Sequence, residues 1–503
     1  MRLSQLIADL PWATFNRDAE VSRAVVDSRQ VRPGDLFVAI PGARLDGSSF
    51  VPAAISAGAA AIVAEDDLHL DQTPQVRVPN ARRFAGLAAH RLAGDPTANM
   101  TVVGITGTNG KTTVTYLLEE VFKAEGREVG VIGTVNYRYN ATVTPAKFTT
   151  PEAPELVEII LKMKKASVNT VVMEVSSHAL ELERVIGCLF DAAVFTNLSR
   201  DHLDFHGELD AYLAAKIRLF DELLPVAARK KPHTFGAVNL DDPAGVRVLQ
   251  ATPVRALAYG AGQPISWIRH TCDFDGLRGT LRYGDQEVEV TCPLLGDFQA
   301  FNILAAAAVC HGLHVPPAAL VAGLSRCHRV PGRLDRVGKQ DFLVLVDYAH
   351  TPDALENVLS TLRRLSKGRI ITVFGCGGDR DKGKRPLMGK AVAERADLAI
   401  ITSDNPRTEN PQTIINMILP GVIATGRKRL SPEEILEHQG PPVYTTQPDR
   451  EAAIDLAVRA ARPGDVVLIA GKGHEDYQII GTERIHFDDR EKATAALAKK
   501  FGN

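Results

Sequence analysis

Cysteine is scarce, with six residues among 503, at positions 188, 272, 292, 310, 327 and 376, and no Cys-x-x-Cys pair among them. That scatter excludes a disulfide framework and a cysteine-built zinc site, and it fits reduced thiols in a cytoplasmic protein. An excess of either charge sign is also missing. The formal net charge is −2, which argues against general nucleic-acid or membrane-surface binding. No uninterrupted apolar run is long enough to span a bilayer, and Met1-Arg2-Leu3-Ser4 opens no long apolar signal segment. No repeat or low-complexity tract interrupts the chain. What remains is ordinary globular composition, 45% apolar and 23% charged. At roughly 150 residues per domain this length predicts about three domains.

Residues 1–98 mix short apolar runs with Gly/Pro turns, as in Asp35–Ile40 before Pro41-Gly42, and Ala59–Ala64. Gly94-Asp95-Pro96 marks a first boundary and Val330-Pro331-Gly332 a second. Between them, 99–331 alternates apolar runs with helical patterns, including Thr170–Val175, Ala192–Thr196 and a helix around 209–224. In 332–503 the runs Phe342–Val346, Ile370–Phe374, Leu398–Thr402 and Val466–Ala470 each end in a polar segment. Parallel strands deliver ligand-binding residues in this way at their carboxyl ends. Three α/β domains are expected.

The sharpest local signal is Gly104-Ile-Thr-Gly107-Thr108-Asn109-Gly110-Lys111-Thr112-Thr113, following the apolar run Thr101–Val103. Glycines let backbone N–H groups crowd an anion, the next helix offers its positive end, Lys111 supplies a point charge and the Thr112 hydroxyl suits Mg²⁺. Five residues rather than four separate Gly104 from Gly110, and Ile105 stands where the strict Walker pattern has glycine. The pattern predicts ATP binding.

Glu174 ends the run Thr170–Met173, where a carboxylate is poorly placed for a core and well placed for Mg²⁺; a solvated strand-end glutamate is the bland reading. Asp201, His202, Asp204 and His206 crowd into six residues and resemble a divalent-metal cluster, a zinc hydrolase's or a plain polar loop's equally. Lys216 falls on the apolar stripe of Leu209, Leu213, Phe220 and Leu224. It is either a snorkelling lysine or a buried neutral amine open to carbamylation by CO₂. The residues alone leave these pairs open.

Seven motifs in order resemble the Mur ligases: Gly107–Thr113, Glu174–His178, Asp201–His206, Tyr212–Lys216, Asp347–Pro352, Asp404–Arg407 and Gly471–Glu475. The resemblance runs nearly the whole chain. It implies an N-terminal α/β uridine-nucleotide-binding domain (1–98), a central P-loop ATPase-like parallel-sheet domain (99–331) and a C-terminal Rossmann-like domain (332–503). It implies ATP on Gly107, Thr108, Asn109, Gly110, Lys111, Thr112 and Thr113, with Asn302 at the adenine and Arg333 and Asp347 as C-terminal contacts. Two Mg²⁺ sites follow, Thr112 and Glu174 at one, His202 and carbamylated Lys216 at the other. Lys111, Glu174, His202 and Lys216 carry the catalytic roles.

The implied acceptor is UDP-N-acetylmuramoyl-L-alanyl-D-glutamate, with Ser28, Ala43, Arg44 and Leu45 at the uridine end. Thr149, Thr150, Ser176 and Arg184 match the positions that hold the muramoyl dipeptide. Phe148 and Leu182 depart from residues some relatives carry there. The implied amine is meso-2,6-diaminopimelate, read by Arg380, Asp404, Asn405, Pro406, Arg407, Gly471 and Glu475. Arg407 suits its extra carboxylate through a bidentate pair, and Glu475 its distal ammonium. The implied activity is ATP-dependent amide ligation through an acyl phosphate in peptidoglycan synthesis, with His178 a candidate proton acceptor, by a cytoplasmic monomer. Competing readings are a lysine-adding Mur ligase, a folylpolyglutamate synthetase-like ligase, a metal-dependent hydrolase and a non-enzymatic nucleotide-binding module.

Overall fold

The computed structural model describes residues 1–42, 46–70, 72–338 and 340–502. The expected uridine contacts Ala43, Arg44 and Leu45 lie outside the described residues. Three sheets, each with its own flanking helices, follow one another along the chain. The first has five strands in the order Thr14–Phe15, Gln75–Arg77, Ala61–Ala64, Leu36–Val38 and Ala24–Val25. All its pairs are parallel except the one made by Thr14–Phe15.

The second sheet has eleven strands. Its middle is parallel: Val129–Ile132, Thr170–Glu174, Thr101–Thr106, Ala192–Phe195, Phe235–Asn239 and Arg255–Tyr259 lie side by side in that order. Further strands extend both edges: Asn136–Tyr139 and Thr142–Pro145 antiparallel on one side; on the other, Ile265–Asp273 meets Arg255–Tyr259 in parallel and is followed antiparallel by Gly276–Tyr283 and Gln286–Cys292. The expected parallel sheet is therefore mixed. Hairpins need only tight turns, and these added strands carry the two-residue alternation of half-exposed sheet, as in Gln286–Cys292, whose Val288, Val290 and Cys292 are buried between exposed neighbours.

The helix Lys111–Ala124 shows why the centre is stable. Val114, Leu117, Leu118, Val121 and Phe122 recur at helical spacing and are all buried against the sheet. Each such burial contributes about 1.5–3 kcal/mol. The helix expected around 209–224 is interrupted: Leu209–Arg218 is α-helical, Leu219–Leu223 forms a π turn, and Leu224–Ala228 resumes the α-helix. Pro225 explains the break, since it has no N–H to return to residue 221. Leu209, the first residue of the α-helix, is exposed, while Leu213, Phe220 and Leu224 are buried with Lys216 among them.

The third sheet has seven strands: Asp335–Arg336, Leu343–Asp347, Val466–Ala470, Ile370–Phe374, Leu398–Ile401, Val443–Thr446 and Lys428–Arg429. Only the first pair is antiparallel. Beneath its carboxyl ends sits Arg450, fully buried. It donates from Nε and Nη2 to the two carboxylate oxygens of equally buried Asp489 (2.8 and 2.7 Å), and to the carbonyls of Ser403 (3.3 Å) and Ala470 (3.0 Å). Removing one partner strands the other charge. Asp489→Ala should lower stability by about 3–5 kcal/mol, read as a shift of the urea midpoint; an unchanged midpoint would show that the guanidinium is held by the carbonyls alone.

Candidate active site

The carboxyl ends of the central strands face those of the third sheet across a cleft of about 470 Å³. The phosphate loop forms one wall. Strand Thr101–Thr106 ends at Gly107, whose φ is +142°, and a Cβ there would lie 1.9 Å from Thr196 Oγ1. Gly110 (φ +88°) is closed in by Asn302 Oδ1, 2.3 Å from where its Cβ would be. Only glycine serves at these two positions. The loop is pinned to the neighbouring strand's end: Thr108 N–H donates to Asn197 O and Asn109 N–H to Asn197 Oδ1, both at 2.9 Å. Lys111 Nζ donates to the carbonyls of Gly107 (2.8 Å) and Thr108 (2.9 Å), folding the ammonium over the loop. Burial pulls its pKa down, against the opposing pull of Glu174.

Glu174 is the hub of the cleft floor. It is 1% exposed, and its carboxylate accepts from the Thr112 hydroxyl at 3.0 and 3.1 Å, from Thr134 N–H at 2.8 Å and from the Thr134 hydroxyl at 3.0 Å. The Thr134 hydroxyl also pairs with that of Thr149 at 3.0 Å. Glu174's own carbonyl accepts from the Thr150 hydroxyl (2.8 Å), which in turn accepts Ser176 N–H (3.2 Å). Arg184 Nη1 donates to Thr150 O (3.2 Å), while Nη2 pairs with Glu152 (2.8 Å). One polar network therefore joins Thr112 and Glu174 to Thr149, Thr150, Ser176 and Arg184. Phe148 stands exposed beside it with the Arg184 guanidinium 4.8 Å from its ring centre, and Leu182 caps the short helix Ser177–Glu181.

Arg333 reaches the floor from the third sheet's side, donating from Nη2 to Thr112 Oγ1 at 3.2 Å. Asp347, at the end of Leu343–Asp347, accepts Leu334 N–H (2.7 Å) and Ala349 N–H (2.8 Å), and burial raises its pKa. Asn302 lies one turn into helix Gln299–Gly312, its amide fixed by Gln299 Oε1 at 2.8 Å.

Of the acidic and histidine segment, Asp201 and His202 line the cleft, His206 pairs through Nε2 with Ser177 Oγ (3.0 Å), and Asp204 is exposed. Among the described residues no three His, Cys, Asp or Glu side chains converge to hold a metal. The dense spacing thus does not close into a zinc-hydrolase site: His202 and His206 both pack against the His178 ring, while Asp204 is exposed. His178 packs edge-on to His202 (4.8 Å between ring centres), and burial together with His206 lowers its pKa to about 4, leaving a neutral imidazole. Lys216 is 1% exposed, lies over the Tyr212 ring at 4.0 Å, and has its pKa pushed far down by burial and then by Lys111.

The remaining expected residues do not line this cleft. Ser28 opens the turn Ser28–Gln30 beside the first sheet. Asp404, Asn405, Pro406 and Arg407 follow strand Leu398–Ile401, with Gly471 and Glu475 after strand Val466–Ala470, on the far side of Ile370–Phe374 in the sheet. Arg407 Nη1 donates to Gly378 O (2.8 Å), and Arg380 is exposed nearby, bonded to Asp379 O. Asn405 Nδ2 donates to Glu475 Oε2 at 2.9 Å, and burial raises the Glu475 pKa.

Sequence reasoning missed Thr134, which follows the strand Val129–Ile132 with no motif around it, and Thr196 and Asn197, which read as the tail of a strand. It also missed Phe298, Phe301, His350 and Asn357 along the cleft. Only His350 carried a signal, within Asp347–Pro352.

Comparison with known proteins agrees with this architecture. Residues 20–91 match the Mur ligase family catalytic domain, 105–310 the Mur ligase middle domain and 332–473 the Mur ligase glutamate ligase domain. The UDP-N-acetylmuramoyl-L-alanyl-D-glutamate–2,6-diaminopimelate ligase of Geobacter metallireducens is 47% identical over 95% of this chain and 94% of its own length. The ligase of the same name from Gloeobacter violaceus is 44% identical over 99% of each chain. A solved structure of a ligase with this name superposes with a TM-score of 0.67 at 33% identity, covering 96% of this chain and 95% of the other. The MurF ligase of Thermotoga maritima, solved with ADP, shares the fold at 20% identity and a TM-score of 0.61, covering 96% and 98%. With all three parts matched in order and relatives this close over nearly every residue, the chain belongs to the Mur ligase family.

Proposed function

We propose that this enzyme joins the γ-carboxylate of the D-glutamate in UDP-N-acetylmuramoyl-L-alanyl-D-glutamate to an amine of meso-2,6-diaminopimelate, using ATP, in peptidoglycan synthesis. The relatives' names support both substrates. The observation that carries the chemistry is the continuous polar network from the phosphate loop through Glu174 to Thr149, Thr150, Ser176 and Arg184. It offers a phosphate seat and a seat for an anionic acceptor on one floor.

A carboxylate is a poor electrophile at neutral pH, so it must be activated. One γ-carboxylate oxygen attacks the γ-phosphorus of ATP, the bond to the bridging oxygen breaks, and ADP leaves an acyl phosphate. The diaminopimelate amine then attacks the acyl carbon, the carbon–oxygen bond to phosphate breaks, and the nitrogen loses a proton. Lys111 and Arg333 supply positive charge for the migrating phosphoryl group. His178, neutral near pH 7, is available as a proton acceptor. Closing the cleft between the second and third sheets excludes water from the acyl phosphate.

The donor set fits Mg²⁺: Thr112 and Glu174 offer hard oxygen ligands, and His202 with Lys216 would hold a second ion once Lys216 carries CO₂. Bound Mg²⁺ neutralises phosphate charge and polarises the phosphoryl group. A neutral, buried Lys216 amine is the form that adds CO₂, with loss of a proton, to become a carboxylate-like ligand. Arg407, half-buried beside Gly377 and Gly378, would grip the second carboxylate of diaminopimelate, which lysine lacks. No helix of the described residues is long and apolar enough to cross a membrane.

The direct test is phosphate release from ATP with the UDP-muramoyl dipeptide and each amine. Release is expected with diaminopimelate and far less with lysine or a folate acceptor; no release with diaminopimelate sinks the substrate assignment. Lys216→Ala should lower kcat more than about 100-fold, and bicarbonate should raise the activity of CO₂-depleted parent enzyme but not of the variant. Full activity in the variant removes the carbamate from the mechanism. Arg407→Ala should cost about 100-fold in kcat/KM for diaminopimelate, as expected for losing a charge-assisted pair, while leaving lysine kinetics nearly unchanged. An equal loss for both amines would reassign Arg407 to loop structure.

A further inference from the structure

Lys472 is one of the most deeply buried cations of the molecule, at 0% exposure, and no step described above uses it. Its Nζ donates to Asn405 Oδ1 at 3.1 Å and to Glu475 Oε2 at 3.0 Å, and Asn405 Nδ2 donates to the same Glu475 oxygen at 2.9 Å. The three side chains form a closed triangle of hydrogen bonds. The Tyr477 ring covers the ammonium at 5.3 Å. A lysine taken wholly out of water is costly unless its charge is paired and its donors used, and here both conditions are met by residues proposed to read the amine substrate.

The triangle is anchored on two further sides. Asn405 Oδ1 also accepts Ile479 N–H at 3.0 Å, so its orientation is determined without reference to any ligand. The hairpin of Tyr477–Ile480 and Glu483–His486 holds the rest of the loop: Gln478 Nε2 donates to Asp404 O (2.6 Å), Arg407 N–H to Ile479 O (3.0 Å) and Gly481 N–H to Arg407 O (2.8 Å). Those bonds keep Arg407 at a left-handed φ of +51°, a conformation a side-chain-bearing residue seldom adopts unaided. The charges are arranged with the same economy. Arg450 is matched by Asp489, Lys472 pairs with Glu475, and both cations hold the Asp404 carboxyl below its usual range against its burial.

We infer that Lys472 is a positioning residue for the amine substrate: it fixes Glu475 and Asn405 in the geometry that binds the distal ammonium-bearing end of the amino acid, and takes no part in phosphoryl transfer. This rests on the assignment of diaminopimelate as the amine. Because the ammonium acts through Glu475, its loss should appear in amino-acid binding and be absorbed when Glu475 is already disabled.

The test compares the parent enzyme with Lys472→Met, Glu475→Gln and the double variant, measuring KM separately for diaminopimelate, ATP and the UDP-muramoyl dipeptide. Lys472→Met is expected to raise KM for diaminopimelate about 10- to 100-fold, with the other two KM values within about twofold of the parent's. The double variant should be no worse than Glu475→Gln alone. Equal rises in all three KM values, an unchanged KM for diaminopimelate, or additive losses in the double variant would overturn the inference. If Lys472→Met does not fold, Lys472→Gln keeps a donor without the charge and carries the same comparison. A parent enzyme inactive with diaminopimelate would instead fault the substrate assignment.

Discussion

Everything in the cleft hangs on one buried carboxylate. Glu174 stands at the end of a strand that pairs in parallel with the phosphate-loop strand, Glu174 opposite Ile105. This register brings the carboxylate to the first turn of the loop's helix, within reach of the Thr112 hydroxyl. A carboxylate shielded from water needs several donors, and the nearest are the hydroxyls and N–H groups of Thr112 and Thr134. Satisfying it organises the loop, the turn after Val129–Ile132 and, through Thr149 and Thr150, the approach to Arg184. The same oxygens are the ones a hard cation would take over.

The third sheet joins this floor by a single guanidinium. Arg333 comes immediately after Gly332, and its bond to the Thr112 hydroxyl crosses from one sheet's territory to the other's. A second crossing, the Arg364–Asp297 ion pair, lies farther out on the same side. Few polar contacts therefore hold the two walls across the phosphate seat, which suits a cleft that must admit a nucleotide and then close over it. Away from the cleft the third sheet is built rigidly, with Arg450 and Asp489 paired in its interior and Lys472 locked beneath the 404–407 loop. Mobility between walls and rigidity within them are different demands, and different interactions meet them.

Two lysines of this chain illustrate how burial is put to opposite uses. Lys216 is enclosed by apolar neighbours and an aromatic face, so the neutral amine is favoured. Lys472 is enclosed equally well but meets two oxygens of its partners at hydrogen-bond distance, the contacts through which we infer that it orients them. Depth alone does not decide the chemistry of a lysine; the partners found at that depth do.

Much of this was legible in the sequence where a function is written into a contiguous stretch. The loop at 104–113 announces itself by glycines whose Cβ atoms have no room, Ile370–Phe374 and Val466–Ala470 read as strands residue for residue, and the ordered motifs identify the family. Other features were not local. Leu209 belongs to the apolar stripe by spacing yet opens the helix and is exposed, and the spacing gives no sign of the π turn over Leu219–Leu223. The crowding of Asp201, His202, Asp204 and His206 suggested a metal cluster, yet proximity along four to six positions says nothing about where a short helix sends its side chains. Thr134 and Asn197 carry no signature because their roles come from partners 40 and 88 positions away, and the Gly471–Glu475 motif does not disclose the bond of Lys472 to Asn405, 67 positions away. Sequence by itself determined the nucleotide seat, the alternation of strands and helices, and the family, since these depend on backbone conformation and short-range pattern. Only the tertiary structure decided which carboxylate is the hub, which buried lysine is driven toward its neutral form and which meets two oxygen partners, because solvation and hydrogen-bond partnership are properties of what the fold brings together.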